Sequence, residues 1–295
     1  MIERILDFSD TAARLSVRHQ QLIVKQGAEE RSLPLEEVAA LVVSHPQVIY
    51  TQAVLAGLME NGGVFIACDE RRMPSGMMLP LAGHHLQTER LQHQVGASQP
   101  VRKRAWQQLV CAKVRAQGRL LDALHGDDKG LIALAGRVKS GDPDNVEGQA
   151  ARRYWPALFA DPAFRRDQDA GGLNAFLNYG YAVLRGIVGR AVVAAGLHPS
   201  IGVHHHNRYD AFCLADDVME PFRPLVDAAV ARYAASQTVE EDLSIPMKRA
   251  VLETLMGRFD VAGEARTLFD VAAMTAVSLM KVFQGSRKTL VLPDL

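Results

Sequence analysis

Apolar and polar positions alternate with a period of two through much of the first eighty residues, and with a period near 3.6 after that. Arg14-Leu15-Ser16-Val17-Arg18 alternates, His19-Gln20-Gln21 supplies a turn, and Leu22-Ile23-Val24 returns as a second strand. Residues 38–43 form an apolar run of buried-strand length. Thr51 is placed to cap a helix carrying Val54, Leu55, Leu58 and Met59, which Gly62-Gly63 ends. Residues 64–67 predict another strand, and a turn at Pro74-Ser75-Gly76 precedes a last strand-like piece at 77–81. Leu86, Leu91 and Val95 then open a helical period that recurs to Phe283. It is broken at Gly96, Gly126, Gly141-Asp142-Pro143, Gly171-Gly172, Pro199 and Gln237-Thr238, which divides it into six to nine helices. There is no fixed-period repeat and no low-complexity tract. The predicted fold class is α+β: a small N-terminal β-sandwich-like domain at 1–83, then a larger all-α domain at 84–295, joined at residues 83–85.

The chain has 295 residues, 48% of them hydrophobic and 22% charged, a globular composition that excludes a disordered or collagen-like chain. Its three cysteines, Cys68, Cys111 and Cys213, are odd in number and form no CxxC pair, which argues against a zinc ribbon and a disulfide framework. Acids interrupt the apolar start Met-Ile-Glu-Arg-Ile-Leu-Asp-Phe, and no apolar run reaches the ~20 residues of a membrane span. The expected setting is a reducing cytoplasm with no membrane partner. The final segment, Val291-Leu292-Pro293-Asp294-Leu295, is expected to be disordered.

A net charge of zero conceals an asymmetry. Residues 1–83 hold seven Lys/Arg against ten Asp/Glu, whereas residues 84–119 hold seven (Arg90, Arg102, Lys103, Arg104, Lys113, Arg115, Arg119) against Glu89 alone. Such an excess is the footprint of a polyanion-binding surface, or of a solvated helix face whose partner acids lie elsewhere.

Three places carry acids or imidazoles that a helical core does not require. Asp144 or Asn145 can cap a helix with Glu147 in its first turn, where an acid also opposes the helix dipole. His204-His205-His206 lies in a loop after Pro199, and three consecutive rings cannot all face one site. Asp217 and Glu220, at i and i+3, share one helix face opposite Leu214, Val218, Met219 and Phe222. Oxygen donors with one imidazole suit Mg²⁺ or Mn²⁺. With the basic flank, this suggests a metal-dependent nuclease or strand-transfer enzyme, against a DNA-binding scaffold whose acids are surface groups.

Four ordered motifs sharpen this reading. Asn145-Val146-Glu147-Gly148-Gln149-Ala150-Ala151-Arg152, Leu177-Asn178-Tyr179-Gly180-Tyr181-Ala182-Val183-Leu184-Arg185, Gly202-Val203-His204-His205-His206-Asn207 and Asp217-Val218-Met219-Glu220-Pro221-Phe222-Arg223-Pro224 together resemble Cas1, the CRISPR adaptation integrase. The wording around Leu214-Ala215-Asp216-Asp217 resembles the type II branch. The resemblance implies that Glu147, His205 and Glu220 ligate one Mg²⁺ or Mn²⁺ and are catalytic, with Asp217 behind them and Asn178 and Tyr179 lining the site. It implies transesterification, in which a prespacer 3′-hydroxyl attacks a phosphodiester at the repeat border. Water in place of the hydroxyl makes the site an endonuclease. The implied partners are double-stranded DNA (prespacer and CRISPR repeat array), a second copy in a homodimer made by the β domain, and the small protein Cas2 in a heterohexamer. Other type II adaptation proteins and the effector nuclease are further candidates. Arg102, Lys103, Arg104, Lys113 and Arg115 are the expected DNA-phosphate contacts. A stand-alone DNA repair or junction nuclease with the same site is the alternative.

Overall fold

A strand without polar side chains is stable only when both of its faces are covered, and Val-Ala-Ala-Leu-Val-Val at 38–43 is such a strand. The computed structural model describes residues 3–70, 72–261 and 263–294. The sequence readings at Met1-Ile2 and Leu295 therefore lie outside the described residues. The chain begins β1 (Arg4–Phe8), β2 (Arg14–Arg18), β3 (Gln21–Gln26), β4 (Glu29–Pro34), β5 (Val38–Val43), β6 (Ile49–Tyr50), α1 (Gln52–Glu60), β7 (Val64–Cys68) and β8 (Pro74–Met78). One sheet has the order β1-β5-β7-β8, with β5 parallel to both its neighbours and β8 antiparallel to β7. The other has the order β4-β3-β2-β6, its first three strands joined by antiparallel hairpins.

Alternation along β5 and β7 decides what each face meets. Val38, Leu41 and Phe65 enter a core with Leu15, Leu22 and Val24 of the second sheet and Val54 and Leu58 of α1. Ala40, Val42, Val64 and Ile66 point the other way, into the core of the helical part. The first sheet is thus a shared middle layer, and the larger core runs without a break across the predicted junction. At the crossing, a Cβ on Gly186 would stand 2.7 Å from Ile66 Cδ1, so only glycine admits the sheet this closely.

The rest is α2 (Gln87–Gly96), α3 (Gln99–His125), α4 (Leu131–Ala135), α5 (Val146–Leu158), α6 (Leu173–Ala194), α7 (Cys213–Met219), a 3₁₀ turn at Glu220–Phe222, α8 (Arg223–Ser236), α9 (Ile245–Leu255), β9 (Arg258–Val261), β10 (Glu264–Thr267) and α10 (Leu268–Phe283). No helix among the described residues is long and apolar enough to cross a membrane.

Several sequence expectations differ in detail. The last strand of the first sheet starts at Pro74 rather than after a turn there: it is an edge strand, which tolerates a proline at its first position, and the chain closes before it, where Asp69 N–H donates to Met73 O at 2.8 Å. The hairpin β9–β10 interrupts the helices. Leu86 and Val95 of the predicted apolar stripe are exposed, while Gln94 is the buried residue of α2. The described part of the tail is ordered, contrary to expectation. Val291 N–H donates to Ser278 Oγ at 2.9 Å, Thr275 Oγ1 donates to Val291 O at 2.8 Å, and Leu290 N–H donates to Gln108 Oε1 at 2.8 Å. A chain end tied into α10 and α3 by these bonds has no reason to fray.

Lys248 of α9 is fully buried where the first sheet meets the helices. Its ammonium donates to Ser9 Oγ at 3.0 Å and Ser44 Oγ at 3.1 Å and lies 5.1 Å from the centre of the Tyr179 ring. Ser9 in turn donates to Asp7. Burial pushes the Lys248 pKa down and the Asp7 pKa up, while each charge favours the other. Lys248→Ala is expected to cost about 3 kcal/mol, because it leaves Asp7 without its counter-charge, and Lys248→Met less, because volume is kept. Equilibrium urea unfolding checks both; equal stability of wild type and Lys248→Ala would rule out this role.

Candidate active site: a buried carboxylate–imidazole cluster

The amino terminus of α5 is built by its own sequence. Asn145 adopts φ +50 and its Oδ1 accepts Gly148 N–H at 3.0 Å, while the Asp142 carboxylate accepts Val146 and Glu147 N–H at 2.8 and 3.0 Å. Asp142 is the anionic cap that the sequence pattern does not single out. Glu147 follows in the first turn, facing α3.

The histidine loop is gathered by one carboxylate. Asp217 is wholly buried; its Oδ2 accepts Val203 N–H at 2.6 Å and His204 N–H at 2.9 Å, and its Oδ1 accepts His205 N–H at 3.2 Å. The same Oδ1 lies 2.6 Å from His205 Nδ1, which directs Nε2 away from Asp217. That hydrogen bond outweighs partial burial and raises the His205 pKa above the ordinary histidine value. The three rings diverge as expected. His204 stacks on Trp106 at 4.2 Å, and His206 Nδ1 sits 2.7 Å from His205 O in solvent. Gly202 is obligatory, since a Cβ there would stand 2.4 Å from His205 O and 2.8 Å from Asp217 Oδ2. His205 is 46% exposed, so a ligand from solvent can reach it.

Glu220 is 3% exposed and holds two cations: Arg223 Nε donates to its Oε1 at 2.8 Å, and Lys113 Nζ lies 2.5 Å from its Oε2. Lys113 Nζ also donates to Glu147 Oε1 at 2.6 Å, so the acids of α5 and of the 3₁₀ turn meet on one ammonium. The Oε2 contact is a short ion pair, so Lys113 occupies the carboxylate oxygen that Arg223 leaves open. Burial opposes ionisation of Glu220, but Arg223 and Lys113 overcome it and pull its pKa down to about 2. Burial likewise opposes the Lys113 charge, and Glu220 and Glu147 reverse this, raising its pKa. Behind Arg223, at 4.6 Å, lies the Tyr181 ring, whose hydroxyl donates to Asp227; Tyr154 donates to the same carboxylate at 2.8 Å. Arg185 grips Asp216 with two bonds of 2.7 and 2.8 Å.

The structure therefore joins Glu147 to Glu220 through Lys113 and His205 to Asp217, with the Glu220 charge felt at His205, and it moves other expected residues. Lys113 is not a surface phosphate contact; it is bound between two acids. Arg102 is not free for phosphate either: its guanidinium donates to Gly202 O at 2.7 Å, Gln94 O at 2.8 Å and Ala97 O at 3.1 Å. With Gln94, whose amide holds His198 and Ile201, it braces the chain that leads to His205. Asn178 bonds Arg166 and Gln168 O, and Tyr179 faces Lys248, so neither touches the acids; Tyr181 is the aromatic residue that reaches Arg223. Lys103 packs its stem against Gly141. Arg104 lines a cleft of about 700 Å³ with Arg137 and Lys139, and Arg115 lies by the tail with Arg119. Lysine or arginine count in the sequence could not separate these roles.

Two carboxylates and an imidazole are a donor set whose chemistry suits Mg²⁺ or Mn²⁺. Among the described residues no three such side chains stand as a ready-made cage, and Lys113 Nζ lies between Glu147 and Glu220.

Fold and site together define a two-sheet unit backed by a helical body, with buried carboxylates and a partly exposed imidazole at its centre. The chain belongs to the family described as CRISPR associated protein Cas1, which it matches over residues 8–259. It is 34% identical over 285 residues to the CRISPR-associated endonuclease Cas1 of Neisseria meningitidis serogroup C, covering 96% of this chain and 93% of that protein. Its fold resembles a casposase bound to integration product (TM-score 0.81, 21% identity, 97% of this chain and 92% of that one). It also resembles a chain of a Cas6-RT-Cas1–Cas2 complex (TM-score 0.76, 18% identity, 99% of this chain and 36% of that one).

Acid should loosen the cluster with a definite sign. The Glu220 pKa is lowered in the fold from an ordinary 4.5 to about 2, so its contribution is complete above 4.5 and is lost as pH falls toward 2. Glu220→Gln is expected to be less stable than wild type at neutral pH, with the difference shrinking between pH 4.5 and 2. Urea midpoints along that pH series read it; a pH-independent gap would mean Glu220 is not held ionised.

Proposed function

We propose that this chain is a metal-dependent DNA endonuclease and integrase of CRISPR adaptation, of the type II branch, inserting prespacer DNA at a repeat border. The observation that carries the proposal is the meeting of Glu147 and Glu220, from separate helical elements, on one buried cation, with the His205 imidazole oriented by Asp217 and held within the field of Glu220. Glu147, His205 through Nε2, and Glu220 are the residues that would hold Mg²⁺ or Mn²⁺. When bound, such an ion neutralises charge that develops on a phosphodiester during transesterification. Asp217 keeps the imidazole in place, and Arg223 keeps the Glu220 carboxylate ionised and aimed. The Glu220 carboxylate stands where Lys113 and Arg223 both reach it.

Support for a DNA substrate comes from two sources: the relative named an endonuclease and the fold neighbour bound to an integration product. The cleft lined by Arg104, Arg137 and Lys139 also holds Asp144, which pairs with Lys139 at 2.7 Å and directly precedes the Asn145 cap of the helix that carries Glu147. Prespacer and repeat duplexes, a second copy of the chain through residues 1–83, and Cas2 in a heterohexamer complete the proposed assembly, which acts in the cytoplasm.

Glu147→Gln is expected to lower strand transfer of a labelled duplex into a repeat-bearing plasmid by more than about 100-fold while duplex binding is retained. Wild-type activity should vanish in EDTA and return with Mn²⁺; transfer undiminished by chelation would reject the metal reading. A second expectation concerns the cleft. Arg104→Ala, Arg137→Ala and Lys139→Ala together should shallow the slope of log affinity against log salt by about one for each phosphate that is no longer neutralised. Fluorescence anisotropy with duplex DNA measures it, and an unchanged slope would return the cleft to ordinary surface.

A further inference from the structure

We infer that Lys113 is the resident counter-cation of the Glu147–Glu220 pair, exchanged for the divalent ion as a DNA phosphate arrives, so that ion and DNA bind cooperatively through this side chain. The inference deepens the metal-site reading above and rests on it.

The geometry places the ammonium in competition with any ion the acids could take. Lys113 Nζ is 2.6 Å from Glu147 Oε1 and 2.5 Å from Glu220 Oε2, and its side chain is only 13% exposed. A cation that uses both carboxylates must displace the ammonium from them. Arg223, the other cation on Glu220, is not the one to yield: it bonds Oε1 and lies over the Tyr181 ring, which Asp227 fixes. Lys113 is a compact charge on a flexible four-carbon stem, so its ammonium can swing without movement of the α3 backbone.

Charge balance gives the coupling its sign. Glu147, Glu220, Lys113 and Arg223 form a set of two negative and two positive charges in contact. A divalent ion entering alone adds two positive charges beside two cations held out of water, which is unfavourable. A phosphodiester entering alone brings a third anion toward two carboxylates. Entry of both lets the ammonium leave the acids for the phosphate, so that each charge meets an opposite one. Linkage then requires that DNA raise the ion's affinity by the same factor by which the ion raises that of DNA.

The test is Mn²⁺ binding, with free Mn²⁺ read by electron paramagnetic resonance, in the whole chain with and without a blunt duplex ending in dideoxynucleotides. A Glu147→Ala chain with the same duplex counts the ions held by DNA itself. For wild type the Mn²⁺ affinity is expected to rise about ten-fold on adding duplex. Lys113→Met and Lys113→Gln should bind Mn²⁺ without DNA about as tightly as wild type does with it, and gain less than about three-fold from duplex. Lys113→Arg, which keeps the charge, should remain weak without DNA. Neutral variants that bind no tighter than wild type would overturn the inference, as would a wild-type affinity indifferent to duplex, which decides the matter even where a neutral variant fails to fold. Wild type that takes up no Mn²⁺ under either condition would instead remove the metal site itself, a result distinct from ion binding that ignores Lys113.

Discussion

A carboxylate taken out of water must be compensated, and Asp217, Glu220 and Asp227, along one stretch from α7 to α8, are all buried. Each is compensated differently, and each compensation draws in a distant part of the chain. Asp217 takes backbone amides and an imidazole from the loop at 203–205. Glu220 takes Lys113 from α3 and Arg223 from its own turn, and Lys113 brings Glu147 of α5. Asp227 takes the hydroxyls of Tyr154 from α5 and Tyr181 from α6. The site is assembled by the same interactions that make these three charges tolerable, so its geometry is a consequence of burying them.

What could be read from the sequence depended on whether a residue's role shows in its own neighbourhood. Residues 38–43 announce a doubly covered strand because every side chain is apolar, and Asn145 announces a helix start because capping is local. β4 (Glu-Glu-Arg-Ser-Leu-Pro) does not: it is an edge strand held to β3 by backbone bonds, with too little buried side-chain surface to show a period. The hairpin β9–β10 has only four residues in each strand, too short a run to show a period. Glu147, His205, Glu220 and Asp217 were legible as a group only through their ordered motifs, since the spacing of acids alone fits a solvated helix face equally well. The apolar side of α7 is buried, as expected, and so is the acidic side, because α3 packs across the 3₁₀ turn.

Basic residues were the least legible. Arg102, Lys103, Arg104, Lys113 and Arg115 stand within fourteen positions, yet they serve different ends, because 3.6 residues per turn distributes them around α3. Arg102 faces the carbonyls of the α2–α3 corner and of Gly202, Lys113 faces the acids, and Arg104 opens onto the cleft. Two of the five, Arg102 and Lys113, are already engaged by groups of the protein at short range. A charge count identifies a polyanion surface only after the cations already committed to carbonyls and carboxylates are removed from it.

Burial also sets two carboxylates of the network against each other as pH changes. Burial, only partly opposed by the hydroxyls of Tyr181 and Tyr154 and by Arg223, pushes the Asp227 pKa up from 3.8 to about 6. A raised acid pKa in the fold means that protonation favours the folded state, so the cost of Asp227 is relieved as pH falls through 6. Glu220 behaves oppositely, its stabilisation fading as pH falls toward 2. Both side chains bear on Arg223, one directly and the other through Tyr181. The arginine is therefore steadied on one side by a carboxylate that stays charged through mild acid and on the other by a hydroxyl–carboxyl contact that survives protonation. Mild acid leaves its position on Glu220 supported from both directions, and the cluster gives way only where Glu220 itself takes up a proton.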